Sequence, residues 1–487
     1  MLFLKPRIDP LTQTVLDDGE LLGRLVDGLG SPLNVVLPQR VSANVAAFRD
    51  AYRRHRLNGR IYFAHKANRS SALLRQFAAT EAGVDVASAG ELQHALSAGF
   101  TPDRIMATGP KTREYLWLAA RTGVIVNADS PAELSELASL VAAFRLPRAR
   151  AMVRLSRFQS SGVRVQSRRS RFGFAAGLLT ETLDLLGKHG DHVELVGVAY
   201  HLDTVEVREK AVALEGCLAA LDECRARGLR PWSLDIGGGF GVNYLADPAE
   251  WERYTSELAQ AVLGNRPPLT WGGHGYGLRA EAGTLRGSLA LYPAYRPVAG
   301  AGYLDTLLGT EAPDRRRPLG ELLLDHMYDL DVEPGRALLD QCGLTVARVL
   351  EVRDDGDDVL VRLDCNARDV SVEEHGVLMD PVLVPLRKPA ASRPEGVFLL
   401  GNLCLESDLI TRRKVFLPRR PEAGDLLAFV NTAGYLMDFT ATEALLAPQG
   451  RKVAVVRAGD GTWSWRLDEN YWPIHSQPPL HSHPEVS

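Results

Sequence analysis

Between about Val41 and Pro334, short apolar runs alternate with amphipathic stretches, and this alternation leaves few folds open. The strand-like runs are Gly59–Ala64, Gly83–Val86, Arg104–Ala107, Val124–Val126, Ala151–Leu155, Leu195–Tyr200 and Ser233–Ile236. Helical patterns lie between them at Ser70–Thr80, Gly90–Ala98, Thr112–Thr122, Ser130–Phe144, Thr180–His189 and Glu209–Arg227. Repeated βα units with short strands predict an α/β chain with a parallel sheet. Their number favours a closed (β/α)8, TIM-like barrel over an open sheet. Polar and glycine residues fall at or just after the strand ends: Lys66, Asp85, Gly109, Asp129, His201 and Gly237. In a barrel those ends open onto one face, where active sites are built.

The pattern breaks twice. Residues 264–322 are rich in Gly, Pro, Tyr and Arg and read as an insertion within a barrel spanning 41–338. A lid, a partner contact, a pocket wall and a neutral surface elaboration all fit such a segment. After Pro334 the runs become β-rich and are joined by turns such as Asp355-Gly356-Asp357, which predicts a separate β domain over 339–470. Residues 1–40 carry no clear βα unit and are assigned to that domain. Residues 471–487, with His475, His481 and His483, read as a solvated, flexible tail rather than a metal site.

Composition narrows the function classes. Hydrophobic residues make up 45% and charged residues 24%, as in a globular protein with a sizeable core. A formal net charge of −4 gives no nucleic-acid footprint and no cationic membrane surface. No apolar stretch is long enough to span a bilayer, and the start of the chain lacks a signal-peptide core. The five cysteines (Cys217, Cys224, Cys342, Cys365, Cys404) are scattered without a CxxC pair, so we expect a reducing, cytoplasmic setting and no metal.

Four segments carry chemistry. Lys66 ends the apolar run Ile61-Tyr62-Phe63-Ala64. A lysine there either snorkels to solvent or, having given up its proton, forms a Schiff base with a carbonyl. In Leu234-Asp235-Ile236-Gly237-Gly238-Gly239-Phe240-Gly241, three glycines after a strand let backbone N–H groups approach a phosphate, or simply make a turn. Glu333-Pro334-Gly335-Arg336 follows a strand-like run, where the carboxylate either pairs with a ring nitrogen or forms a surface pair with Arg336. Cys404 is either a thiol acid or, as is commoner for an isolated cysteine, a buried small residue.

Taken in order, these pieces resemble one family. Ala64-His65-Lys66-Ala67-Asn68 matches its YAxKAN strand, and Asp85-Val86-Ala87-Ser88-Ala89-Gly90-Glu91-Leu92 its DVASxGEL segment. Thr108–Thr112, Asn127–Ser130, Ser170–Gly173, His201, Gly237–Gly239, Glu333–Arg336, Cys404 with Asp408, and Gly434-Tyr435 continue the series. The chain, from about residue 30 to 455, is similar to the fold-type III pyridoxal-phosphate decarboxylases of the diaminopimelate/ornithine/arginine group. The resemblance implies an alanine racemase-like barrel followed by a β-sandwich or β-barrel domain. It implies that Lys66 carries pyridoxal 5'-phosphate and that Glu333 pairs with its pyridine nitrogen. His201 would stack on the ring and Asp85 would lie near the lysine. Gly237, Gly238, Gly239, Gly335, Arg336 and Tyr435 would complete the cofactor contacts. Cys404 would reach over from a second subunit of a homodimer and reprotonate the α-carbon after CO2 leaves. Arg336, Arg368, Glu406 and Asp408 would meet the amino-acid substrate.

The departures are specific. The family's HxGS segment reads His201-Leu202-Asp203-Thr204 here. Leu405 stands where diaminopimelate decarboxylases have Glu after the catalytic Cys, and the acid comes one residue later at Glu406. Ala367–Val372 keeps Arg368 without the expected tyrosine. A specialised or larger amino acid therefore fits better than meso-diaminopimelate or ornithine. A racemase on the related fold would want KAxAYG after the lysine, and Ala67-Asn68-Arg69 stands there instead. A catalytically silent regulatory homologue would be expected to have lost Lys66, Glu333 or Cys404, and all three are present.

Overall fold

In a computed structural model, the described residues are 1–158, 170–202, 204–384, 386, 393–471 and 481–482. The expected tail falls largely beyond them: His475 and His483 lie outside the described residues, as does Asp203.

Eight parallel strands form the barrel: Tyr62–Ala64, Gly83–Val86, Ile105–Ala107, Ile125–Ala128, Ala149–Ser156, Val193–Tyr200, Ser233–Asp235 and Asp329–Asp331. The last strand returns to the first through the parallel bridge of Ile61 with Val332, where the Tyr62 N–H donates to the Val332 carbonyl at 2.8 Å. The strand alternation sorts the side chains. Ile61, Phe63, Val84, Val86, Ile105, Ala107 and Val126 belong to the large cluster under the helices. Tyr62, Met106, Ile125, Met152 and Val196 form a separate small cluster inside the barrel. Two residues further along, the inward positions are Ala64, Asp85, Thr108, Asn127 and Arg154, because side chains repeat every second residue. The barrel interior is thus an apolar plug beneath a polar floor.

Local signals end the strands and start the helices. Ser70, Ser88, Thr112 and Ser130 each accept a backbone N–H at a helix start through the side-chain oxygen. Glu91 and Glu133 reach back to the N–H groups of Ala87 and Asp129 at 2.6 and 2.9 Å, which fixes the strand-to-helix turns. Gly99 and Gly123 close two helices in the left-handed conformation.

The second sheet is built on Gly343–Asp355, which pairs with Asp358–Leu363, Leu426–Val430 and the N-terminal strand Leu33–Val36. Leu33–Val36 also runs parallel to Arg451–Arg457, so the beginning and end of the chain share this sheet. Trp463–Leu467 and the two-residue strand His481–Ser482 extend that edge. Residues 264–322 contain a hairpin, Leu278–Glu281 with Thr284–Gly287, the helix Gly300–Gly309 and the start of the helix Leu319–Asp325. Leu304, Leu307, Leu308 and Leu323 are fully buried in the main core, so the helical half of this segment is part of the barrel wall. No helix among the described residues is long and apolar enough to cross a membrane.

Candidate active site

The strand ends surround a cavity of about 940 Å3 lined by Lys66, His201, Gly238, Gly239, Glu333, Gly335, Arg336 and Tyr435, among others. Lys66 follows strand Tyr62–Ala64 in a single 3-10 turn, His65–Ala67, and its ammonium forms no ion pair among the described residues. Burial pushes its pKa down. The charges of Asp85, then Tyr435 and Glu333, outweigh that and hold it above the ordinary lysine value. The charge at this strand end is therefore retained against carboxylates rather than lost.

Two buried carboxylates behave oppositely. Asp85 accepts from Thr108 Oγ1 at 2.5 Å, and burial, reinforced by Glu333, raises it well above the usual carboxylate range. Burial would raise Glu333 as well. His201 beside it, then Lys66 and Arg154, reverse the shift and keep Glu333 below the ordinary glutamate value. His201 Nδ1 lies 3.6 Å from Glu333 Oε2 and accepts the Gly238 N–H at 3.2 Å. Burial lowers the imidazole's pKa. Nδ1 thus faces both a backbone N–H and a carboxylate, and the ring's protonation is tied to Glu333.

The glycine turn hangs between these groups. The Gly237 N–H donates to Asp235 at 2.7 Å, and Gly237 sits at φ +64° with no room for a Cβ against the Tyr200 carbonyl, 2.7 Å away. The N–H groups of Gly239, Phe240 and Gly241 donate to no described residue. Three successive unpartnered donors on a cavity wall form an anion-binding concavity. A Cβ on Gly335 would stand 2.8 Å from the Tyr435 hydroxyl, so glycine there lets the phenol close over the turn. Tyr435 itself adopts φ +71°, a conformation sparsely populated for a bulky side chain and held here by its N–H bond to Ala67 O at 2.9 Å. Arg336 Nη1 donates to Tyr244 Oη at 2.6 Å, and its guanidinium lies over the rings of Tyr292 and Tyr435 at 5.0 and 5.3 Å. Free N–H groups, an arginine with no carboxylate partner among the described residues and a phenol suit a phosphate ester. The amine of Lys66 suits an aldehyde, and a buried ionised glutamate suits a protonated ring nitrogen. The donor set fits pyridoxal phosphate.

Other expected site residues lie elsewhere. Gly237 shapes the turn from behind the cavity wall, and Asp85 lies buried beneath Lys66. Cys404 is exposed and does not line the cavity of its own chain, against the expectation of a buried small residue; it occupies a tight loop between strands Glu395–Leu400 and Leu409–Leu417, beyond the core. Glu406 is exposed on the same loop. Asp408 is buried and braces the loop, accepting the N–H groups of Ala367 and Leu403 at 2.8 Å each. Arg368 is exposed in an adjoining depression whose wall shares Phe439 with the cavity.

Several site residues escaped the sequence reading. Tyr292 and Arg296 of the 264–322 segment line the cavity, as do His375 and Phe439. No motif marks them. Lys111 was legible only as part of Thr108–Thr112; it is buried, and its Nζ donates to Gly109 O and Asn127 O at 2.6 Å and pairs with Glu133 at 3.1 Å, tying two strand ends together. Arg154, on the floor, pairs with Asp129 at 3.4 Å. Lys210 carried a signal in retrospect, since it shares a helix face with the buried Ala213, Leu214 and Cys217.

A family model, the pyridoxal binding domain of pyridoxal-dependent decarboxylases, matches residues 39–285. An uncharacterized protein, y4yA of Sinorhizobium fredii, is 31% identical over 437 residues, covering 89% of each chain. The diaminopimelate decarboxylase of Actinosynnema pretiosum subsp. auranticum is 27% identical over 432 residues, covering 87% of this chain and 85% of that one. Among solved structures, M. jannaschii diaminopimelate decarboxylase in complex with L-lysine aligns with a TM-score of 0.68 at 18% identity, over 92% of this chain and 91% of that one; this likeness speaks for the fold. The chain belongs to the pyridoxal-dependent decarboxylase family, as an enzyme whose cofactor is pyridoxal 5'-phosphate.

Proposed function

We propose that the protein decarboxylates a specialised α-amino acid in a homodimer whose two sites each draw residues from both subunits. The observation that carries the reading is the shared cavity of Lys66, Glu333 and the unpartnered glycine turn. Bound there, pyridoxal phosphate supplies an electron sink for the pair released when the Cα–carboxylate bond breaks. Lys66 Nζ is the amine that holds the aldehyde. Glu333, kept ionised, holds a proton on the ring nitrogen. His201 offers a flat imidazole face to the ring. The N–H groups of Gly239, Phe240 and Gly241, with Arg336 and Tyr435, bind the phosphate.

No general acid stands over the cavity from its own subunit in the Cys404 loop, and Cys404 is exposed. In our reading, Cys404 of the partner subunit returns the proton to Cα from Sγ, and Glu406 of its loop meets the substrate's far end while Asp408 holds the loop in shape. Arg368 sits at the rim beyond Phe439. Tyr292 and Arg296 of the 264–322 segment line the cavity, so this segment contributes to the substrate's surroundings.

The test is direct. Protein incubated with pyridoxal phosphate is expected to gain a visible absorbance band, to lose it in Lys66→Ala, and to release CO2 from one member of an amino-acid panel. Colourless protein with an unmodified Lys66 after reduction with borohydride sinks the reading. Chirality change without CO2 would make the protein a racemase.

A further inference from the structure

Lys210 is fully buried on helix Val207–Ala226, and its ammonium has no carboxylate partner among the described residues. Nζ donates to the Gly238 carbonyl at 2.6 Å and lies over the rings of Phe240 and Tyr303, 5.0 and 5.2 Å from their centroids. Lys111, equally buried, has Glu133 to offset its charge. An uncompensated buried ammonium is costly, so its retention calls for a use.

Peptide geometry supplies one. In a trans peptide the carbonyl of one residue and the N–H of the next point in opposite directions. With the Gly238 carbonyl drawn back to Lys210, the Gly239 N–H is turned to the other side, where Gly238 and Gly239 line the cavity. A Cβ on Gly239, at φ +84°, would stand 2.9 Å from Nζ, so the ammonium is set directly against the backbone of the turn. The N–H groups of Phe240 and Gly241 continue the same row of unpartnered donors.

We propose that Lys210 is a positioning residue for phosphate: it fixes the Gly238–Gly239 peptide with its N–H toward the cavity and sets a positive charge behind the turn. The inference rests on the pyridoxal phosphate reading of the site. The titratable side chains packed against Lys210 are Tyr303 on Gly300–Gly309, whose ring lies under Nζ, and Tyr200, whose hydroxyl donates to the Lys210 backbone carbonyl; the Glu206 contact is made by its backbone carbonyl. Burial alone lowers its pKa to about 7. The charge is present below that value and lost as pH rises through it, so its part in phosphate affinity fades in the same direction.

The experiment compares wild type with Lys210→Met, both freed of cofactor, by titrating pyridoxal phosphate and phosphate-free pyridoxal between pH 6 and pH 9. At the acid end the variant is expected to bind pyridoxal phosphate about tenfold more weakly or worse. Pyridoxal binding should be unchanged, and the gap between the two proteins should narrow toward the alkaline end. Equal weakening for both ligands, an unchanged phosphate affinity, or a gap that does not vary with pH each overturns the proposal. If Lys210→Met fails to melt cooperatively, Lys210→Gln is measured by the same criteria. Wild type that takes up neither ligand overturns the underlying cofactor reading, a result distinct from the others.

Discussion

Asp85, in register with Ala64 on the strand beside Lys66, is locked to Thr108 by a 2.5 Å hydrogen bond, so the acid with the largest upward pull on the lysine is itself held in place by the neighbouring strand. The Thr108 hydroxyl steadies one oxygen of a carboxyl that burial, reinforced by Glu333, pushes upward. The consequences for cofactor attachment can be measured.

Attachment needs the neutral amine, and the raised pKa of Lys66 keeps that form scarce at neutral pH. The rate at which cofactor-free protein takes up pyridoxal phosphate covalently is expected to climb about tenfold per pH unit from neutrality toward the lysine range. Asp85→Asn removes the largest raising charge, so attachment at neutral pH should become faster. Stopped-flow absorbance checks both, and a flat profile in wild type contradicts the first.

Glu333→Gln should retain the cofactor, because the glycine turn, Arg336 and Lys66 are untouched. Turnover is expected to fall about 100-fold or more, since an amide no longer favours the protonated ring. Unchanged CO2 release at normal cofactor occupancy would remove Glu333 from the electron-sink role.

If each site is completed by Cys404 of the partner subunit, two inactive variants should complement. Lys66→Ala and Cys404→Ala, mixed under conditions that exchange subunits, form hybrids with one site carrying both substitutions and the other carrying neither. Random pairing then restores about a quarter of wild-type activity. No recovery, with hybrids demonstrated by mass, places Cys404 in its own subunit's chemistry or in none.

In the β domain, Arg413 is fully buried against Asp380, which also accepts the Leu4 N–H at 2.6 Å. Asp380→Ala leaves the guanidinium unpaired in the core and should destabilise the fold by about 3–5 kcal/mol in denaturant unfolding. A change within about 0.5 kcal/mol would mean that solvent reaches Arg413.

Much of the barrel was legible in the chain. Seven of its strands sit within a few residues of the runs read from the sequence, because short apolar segments flanked by Ser, Thr and Gly caps encode their own limits. The eighth, Asp329–Asp331, is the strand-like run before Glu333; made of two aspartates and a leucine, it depends on closure for its partners. The residues of the motifs Lys66, His201, Gly237–Gly239, Glu333–Arg336 and Tyr435 were named from an ordered resemblance to one family, and the fold brings them to one cavity or its rear wall.

By itself, the sequence determined the repeating βα pattern, the lysine at a strand end and the glycine turn, all local matters of periodicity and spacing. Only the tertiary structure decided that Tyr292 and Arg296 of a segment with no motif wall the cavity, that Cys404 faces outward, and that Lys210 stands behind the Gly238 carbonyl. These relations join residues far apart in the chain, and no local pattern records a contact that exists only after the barrel closes.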